Sequence, residues 1–227
     1  MPFILIIIAA IAILFGPQWW AQYTFRRYDK HLDHLQGTGG ELARHLLDRF
    51  DMQHVKVEKT EPNSDHYDPT DQVVRLSPNN FDNKSLTAIA VAAHEVGHAI
   101  QHHRKEPLLM WRSRLAVLAN SAQKFGVAAM MLMPVITAAT RVPAIGGFLF
   151  IVGIGSMFMA TLVHLITLPV ETDASFKKAL PLLETGYVEA EDMPKVRRIL
   201  RAAALTYLAG SLSSLLNLWR WIAILRR

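Results

Sequence analysis

There is no cysteine among the 227 residues of this chain. Disulfides and thiolate metal sites are thereby excluded, so any zinc has to be held by nitrogen and oxygen, as in a catalytic rather than a structural site. A long-period repeat and low-complexity tracts are also missing. No nucleic-acid module is visible, and the net charge of +5 is accounted for by basic residues bordering apolar segments, which serve topology and contact with anionic lipid. Charge itself is absent from four long stretches: Pro2–Phe15, Phe125–Thr140, Val142–Leu168 and Ala202–Leu218 contain no Asp, Glu, Lys or Arg.

Those stretches, with 51% hydrophobic residues and a positive mean hydropathy, are unlike a soluble domain. A helix needs about 20 residues to cross a bilayer, a length that Val142–Leu168 reaches alone and the others reach with their flanks. The expectation is a mainly α-helical integral membrane protein with a small β element. A cleaved signal peptide is the alternative for the first stretch. Against it, no basic residue precedes the stretch and no small-x-small site follows before Gly16-Pro17-Gln18-Trp19-Trp20, whose tryptophans suit an interfacial anchor. The expected organisation is an anchor over 1–20, a polar region over 21–114, two transmembrane helices within 115–168, a polar segment over 169–201 and a transmembrane or interfacial helix over 202–227.

Within the polar region, Glu41–Met52 has a helical apolar spacing after the Gly37-Thr38-Gly39-Gly40 break. Val55–Glu58 and Gln72–Leu76 read as short strands, separated by a loop of turn formers from Pro62 to Pro69. Lysine and arginine set the topology. Arg26, Arg27, Lys30, Arg112, Arg114, Lys177, Lys178, Arg197, Arg198 and Arg201 flank the apolar runs on one side, and Arg141 stands alone on the other. The positive-inside rule puts both polar parts in the cytoplasm. A full final span would leave Arg226 and Arg227 outside, and a re-entrant or interfacial Leu205–Leu225 is the alternative to it.

The chemistry concentrates in His94-Glu95-Val96-Gly97-His98, inside a stretch from Leu86 to His102 that reads as a helix with Ser85 as its N-cap. At 3.6 residues per turn the two histidines stand one above the other on one face. Two neutral imidazoles there can hold zinc while the Glu95 carboxylate takes a proton from an activated water. A purely structural helix gains nothing from such a trio, because burying it without partners costs several kcal/mol. A third ligand is needed, and Leu168-Pro169-Val170-Glu171-Thr172-Asp173-Ala174-Ser175 offers two acids. A solvent-facing acid at a helix start, favoured by the dipole, is the competing reading of Glu171. For the donor that an oxyanion requires, His66 and Tyr67 are candidates beside a strand, with surface loop residues as the alternative. Strand Gln72–Leu76 is a candidate to pair with extended substrate. His102, His103 and His164 read as structural or surface residues.

Three blocks, His94-Glu95-Val96-Gly97-His98-Ala99-Ile100-Gln101, Asp65-His66-Tyr67-Asp68-Pro69 with Val74-Arg75-Leu76-Ser77, and Leu168-Pro169-Val170-Glu171, resemble the YugP-type neutral zinc metallopeptidases of bacterial membranes. The likeness follows the chain in order over nearly its whole length. It implies a zincin-like HExxH helix with ligand helices separated by transmembrane spans, in a gluzincin-like zinc endopeptidase of the bacterial cytoplasmic membrane. His94, His98 and Glu171 are then the Zn2+ ligands, Glu95 is the general base, and the substrate is a peptide or membrane protein. In more distant relatives an aspartate four residues after the ligand glutamate orients a zinc-bound histidine. That position here is Ser175, and Asp173, two residues after Glu171, is either the substitute or only a cap. A zinc-stabilised membrane chaperone or scaffold, and a zinc hydrolase of a lipid or other non-peptide amide, are the rival functions.

Overall fold

The computed structural model describes residues 2–206, mainly helices with one small sheet. In chain order these are α1 (Pro2–Arg27), α2 (Gly39–Arg49), β1 (Lys56–Lys59), β2 (His66–Asp68), β3 (Val73–Leu76), α3 (Pro78–Asp82), α4 (Leu86–His103), α5 (Pro107–Thr140) and α6 (Pro143–Asp173). A π-helical segment, Ala174–Ala179, continues α6 into α7 (Leu180–Glu184), and α8 runs over 193–206. The rest of the expected C-terminal helix, and the side chain of His164, lie outside the described residues.

The chain divides into two compact units. One consists of Pro17–Met110 and Leu168–Thr206. At its centre is α4, buried from Leu86 to Gln101. Its start follows the expected cap: the Ser85 hydroxyl accepts from the Ala88 amide at 3.0 Å and donates to the Asp29 carboxylate at 3.0 Å. Helix α2 opens with a capping box, in which Thr38 accepts from the Glu41 amide and the Glu41 carboxylate accepts from the Thr38 amide. Leu42, Leu46 and Leu47 of α2 then enter the same core as Ile89, Ala93 and Val96 of α4, joined by Leu183 of α7 and by Val196, Ile199 and Leu200 of α8. Burying each leucine-sized side chain contributes about 1.5–3 kcal/mol, so this core is the main support of α4.

The sheet has the order β1-β3-β2, with β1 parallel and β2 antiparallel to β3. Two expectations change here. The segment expected as a loop contains a strand, β2, which exists because Tyr67 pairs opposite Val74 across β3. And β3 is paired on both sides, so its backbone groups are spent within the sheet, and Val73–Leu76 is not available to an extended substrate.

The other unit, among the described residues, contains the chain up to Gly16 and Trp111–Thr167. Its helices α5 and α6 are joined by a connection of two residues, Arg141 and Val142, with Arg141 at a φ of 56°. They pack on small residues: a Cβ at Gly126 would collide with the Ser156 side chain, and one at Gly146 would meet the Thr137 hydroxyl. Their outward faces are apolar, with Val117, Phe125, Val135, Phe148 and Ile151 between 64% and 76% exposed. Among the described residues one helix, α5, is long and apolar enough to cross a membrane, and Pro143–Ser156 forms a shorter apolar run.

Helix α6 also corrects the expected start of the third-ligand helix. Pro169 and Glu171 lie inside α6, not at the opening turn of a new helix. The backbone runs on without a break into the π segment and α7, which pack against α4.

Candidate metal centre

Three side chains from two distant parts of the chain meet in the core of the larger unit. The rings of His94 and His98, one turn apart on α4, lie edge to face with centroids 4.7 Å apart. From α6 the Glu171 carboxylate reaches both: its Oε2 lies 3.3 Å from His94 Nε2 and 3.1 Å from His98 Nε2. One donor atom from each of the three falls within 4.8 Å of the others, so the trio could hold a metal ion. All are buried, Glu171 completely. Two imidazole nitrogens and one carboxylate oxygen, with no thiolate in the chain, match the donor set of a hydrolytic zinc site that keeps an open position.

Close helix approach makes the meeting possible. A Cβ on Gly97 would stand 2.8 Å from the carbonyl oxygen of Ala174, so α4 and the π segment touch backbone to backbone at the motif. A side chain there would push Glu171 away from the histidines. The π turn follows directly after the acid-bearing residues, as π turns often do at functional sites.

The electrostatics follow from burial and contact. Burial works against a charged His98 imidazole, but the adjacent Glu171 carboxylate raises it to about 9. Burial alone would raise the Glu171 carboxyl, yet His98 and His94 hold it well below the usual carboxylate range. Glu95, beside them on α4 and 7% exposed, has its carboxyl pushed up, first by burial and further by Glu171 and Asp65, while His94 and His98 oppose the shift. A carboxylate poised upward in this way is a better proton acceptor.

Around the trio lies a hydrogen-bonded layer. His98 Nδ1 is 3.0 Å from Gln101 Oε1, and Gln101 Nε2 donates to the Val170 carbonyl at 3.0 Å and to Asp173 Oδ2 at 2.8 Å. Lys178 closes the chain, 2.9 Å from Asp173 Oδ2 and 2.9 Å from Glu106 Oε1. Although partly buried, Asp173 is held below the usual range by Gln101 and Lys178. On the other side Ser175 Oγ lies 2.9 Å from His94 Nδ1 and donates to the Leu200 carbonyl at 3.0 Å.

Asp173, expected as either a histidine partner or a cap, thus meets His98 only through Gln101. His66 donates from Nδ1 to the Ser64 carbonyl at 2.6 Å, and Tyr67 hydrogen bonds with His102 Nδ1 at 2.8 Å. Burial of Tyr67, and Asp68 beside it, push the phenol up to about 12, so it stays protonated at neutral pH. His102 was expected to be structural, and it holds Tyr67. From the sequence, Ser175 stands out only as the residue at the aspartate position of more distant relatives, and Gln101 is not singled out. The signals were present: Gln101 is three residues after His98 and Ser175 four after Glu171, each on the face of its partner.

Comparison with known proteins agrees with this geometry. Residues 3–226 match the model of a family described as "putative neutral zinc metallopeptidase". Over 231 aligned positions the chain is 36% identical to the "Putative membrane protease YugP" of Bacillus subtilis, covering 99% of this chain and 96% of that protein. No solved structure matches the chain. With its buried His-His-Glu cluster and a family match spanning nearly its whole length, the chain belongs to this family, described as "putative neutral zinc metallopeptidase".

Proposed function

We propose that the protein is a membrane-embedded zinc endopeptidase in which His94, His98 and Glu171 hold the metal and Glu95 is the general base. The observation that carries this reading is the convergence of Glu171 on both histidine Nε2 atoms, with Glu95 buried beside them on the same helix. When bound, zinc supplies Lewis acidity and brings the pKa of a water molecule near neutrality. Glu95 takes the proton of the attacking water and returns it to the departing amine nitrogen. His66 and Tyr67 are the candidates to donate to the oxyanion. The bond of Tyr67 to His102, one turn along α4 from His98, is what supports its candidacy.

The membrane part of the proposal rests on the apolar outer faces of α5 and α6, their small-residue contact and the "membrane protease" name of the relative. In water such faces would be a liability, whereas in lipid they are the solvated surface. The distribution of Lys and Arg favours a catalytic region on the cytoplasmic face of the bacterial cytoplasmic membrane. The substrate is then a peptide or a membrane protein.

Wild-type and Glu95→Gln membranes compared by mass spectrometry of peptide termini test the reading. New peptide ends are expected only in the wild type, with zinc content equal in both, because the amide keeps the shape and loses the proton acceptor. Identical termini in both would point to a zinc-stabilised scaffold, and metal-dependent turnover of other amides without new termini would point to a non-peptide hydrolase.

A further inference from the structure

We propose that Gln101 and Ser175 are the positioning residues of the metal centre: neutral acceptors that fix the same tautomer on His98 and His94, Gln101 also clamping the histidine helix to the helix that bears Glu171. This rests on the metal-ligand reading above.

The argument is one of hydrogen-bond capacity. The Val170 carbonyl and the Asp173 carboxylate can only accept, so the end of the Gln101 amide facing them is the NH2 group, and both its hydrogens are used. Its oxygen is thereby turned to His98, 3.0 Å away, and can only accept. His98 must carry hydrogen on Nδ1, which leaves Nε2 toward Glu171. Ser175 reaches the same result by another route. Its one hydroxyl hydrogen goes to the Leu200 carbonyl, so its oxygen accepts from His94 Nδ1 and the His94 Nε2 also faces Glu171.

Both positioning groups are fully desolvated, with Gln101 1% and Ser175 0% exposed. Water therefore cannot replace them without a cavity opening. The carboxylate nearest the histidines in this layer is set back by one residue, since Asp173 orients Gln101 and is balanced by Lys178. Gln101 also binds the backbone of Val170, the neighbour of Glu171, so one side chain sets both the angle of a ligand on α4 and the distance to the ligand on α6.

Full-length protein in detergent, carrying Gln101→Met, Gln101→Glu or Ser175→Ala, tests this, with zinc affinity measured by chelator competition and geometry by the visible spectrum of the cobalt-substituted form. Thermal unfolding of the metal-free proteins reports folding separately. Gln101→Met and Ser175→Ala are each expected to lose about 10–100-fold in zinc affinity and to alter the cobalt bands. Gln101→Glu keeps an acceptor for His98 but sets a carboxylate against Asp173 and the Val170 carbonyl. It should therefore fail, and the added change Asp173→Asn, which restores a donor between them, should recover affinity. Wild-type affinity and spectrum in Gln101→Met and Ser175→Ala would overturn the inference while leaving the ligands in place. A wild-type protein that takes up no zinc would instead overturn the metal centre.

Discussion

Glu171 and Asp173 are two residues apart, roughly 200° around a helix, and that rotation gives them different surroundings. Glu171 meets both histidines, whereas Asp173 meets Gln101 and Lys178. Glu171→Ala is expected to abolish stoichiometric zinc in metal analysis. Asp173→Ala should retain zinc and lose about 10–100-fold in turnover, because it loosens the layer behind His98. Zinc on Asp173 in the Glu171→Ala variant would reverse these roles. A pH dependence follows from the same contact. With the His98 imidazole raised from 6.5 to about 9, its pairing with Glu171 stabilises the metal-free protein fully below 6.5 and is lost as pH rises through about 9. The Glu171 shift is downward, so its contribution is present above the ordinary 4.5 and lost as pH falls toward its lowered folded value. Zinc must displace the Nε2 proton of His98, so its affinity should climb with pH through the interval in which the metal-free protein loses this pairing. Thermal unfolding of chelated protein and zinc titrations over one pH series measure both, and parallel trends in the two would contradict this account.

At the scale of elements, the distance between α4 and the π segment decides whether a site exists. Gly97 has no side chain because the Ala174 carbonyl occupies the space, 2.8 Å from where a Cβ would lie. Gly97→Ala is expected to cost about 1–3 kcal/mol by overpacking. It should also weaken zinc binding without touching a ligand, since the helices must separate. Denaturant unfolding of the metal-free form together with zinc titration tests this, and full affinity in a destabilised protein would mean that the contact supports the fold alone. The helices themselves were legible from Ser85, from the spacing of Leu42 and Leu46, and from the break between Thr140 and Pro143. The strand β2 was not, because three residues among turn formers become a strand only when β3 lies beside them. Nor was the continuity of α6 through Pro169 into the π segment, whose packing against α4 no local window contains.

For the whole molecule, the proposed topology places the catalytic unit inside the cell. The absence of native cysteine allows a direct check. Glu61 is exposed in the segment between β1 and β2, so a Glu61→Cys variant carries a single accessible thiol. An impermeant thiol reagent should leave it unlabelled in intact cells and label it in inverted vesicles. Labelling from outside would place the catalytic unit on the opposite face.

The motif residues by themselves determined that His94 and His98 share one face, because helical periodicity is local and puts them there whatever surrounds them. Composition likewise determined the charge-free runs and excluded thiolate ligands. The choice of Glu171 over Asp173 came from resemblance, and only the tertiary structure turned it into a contact of 3.1 Å with His98. The layer of Gln101, Ser175 and Asp173 was decided there too. The bonds from Gln101 to Val170 and Asp173 and between Ser175 and His94 join residues about 70 to 80 positions apart, and such pairings arise only when burial in a common core brings the two helices together.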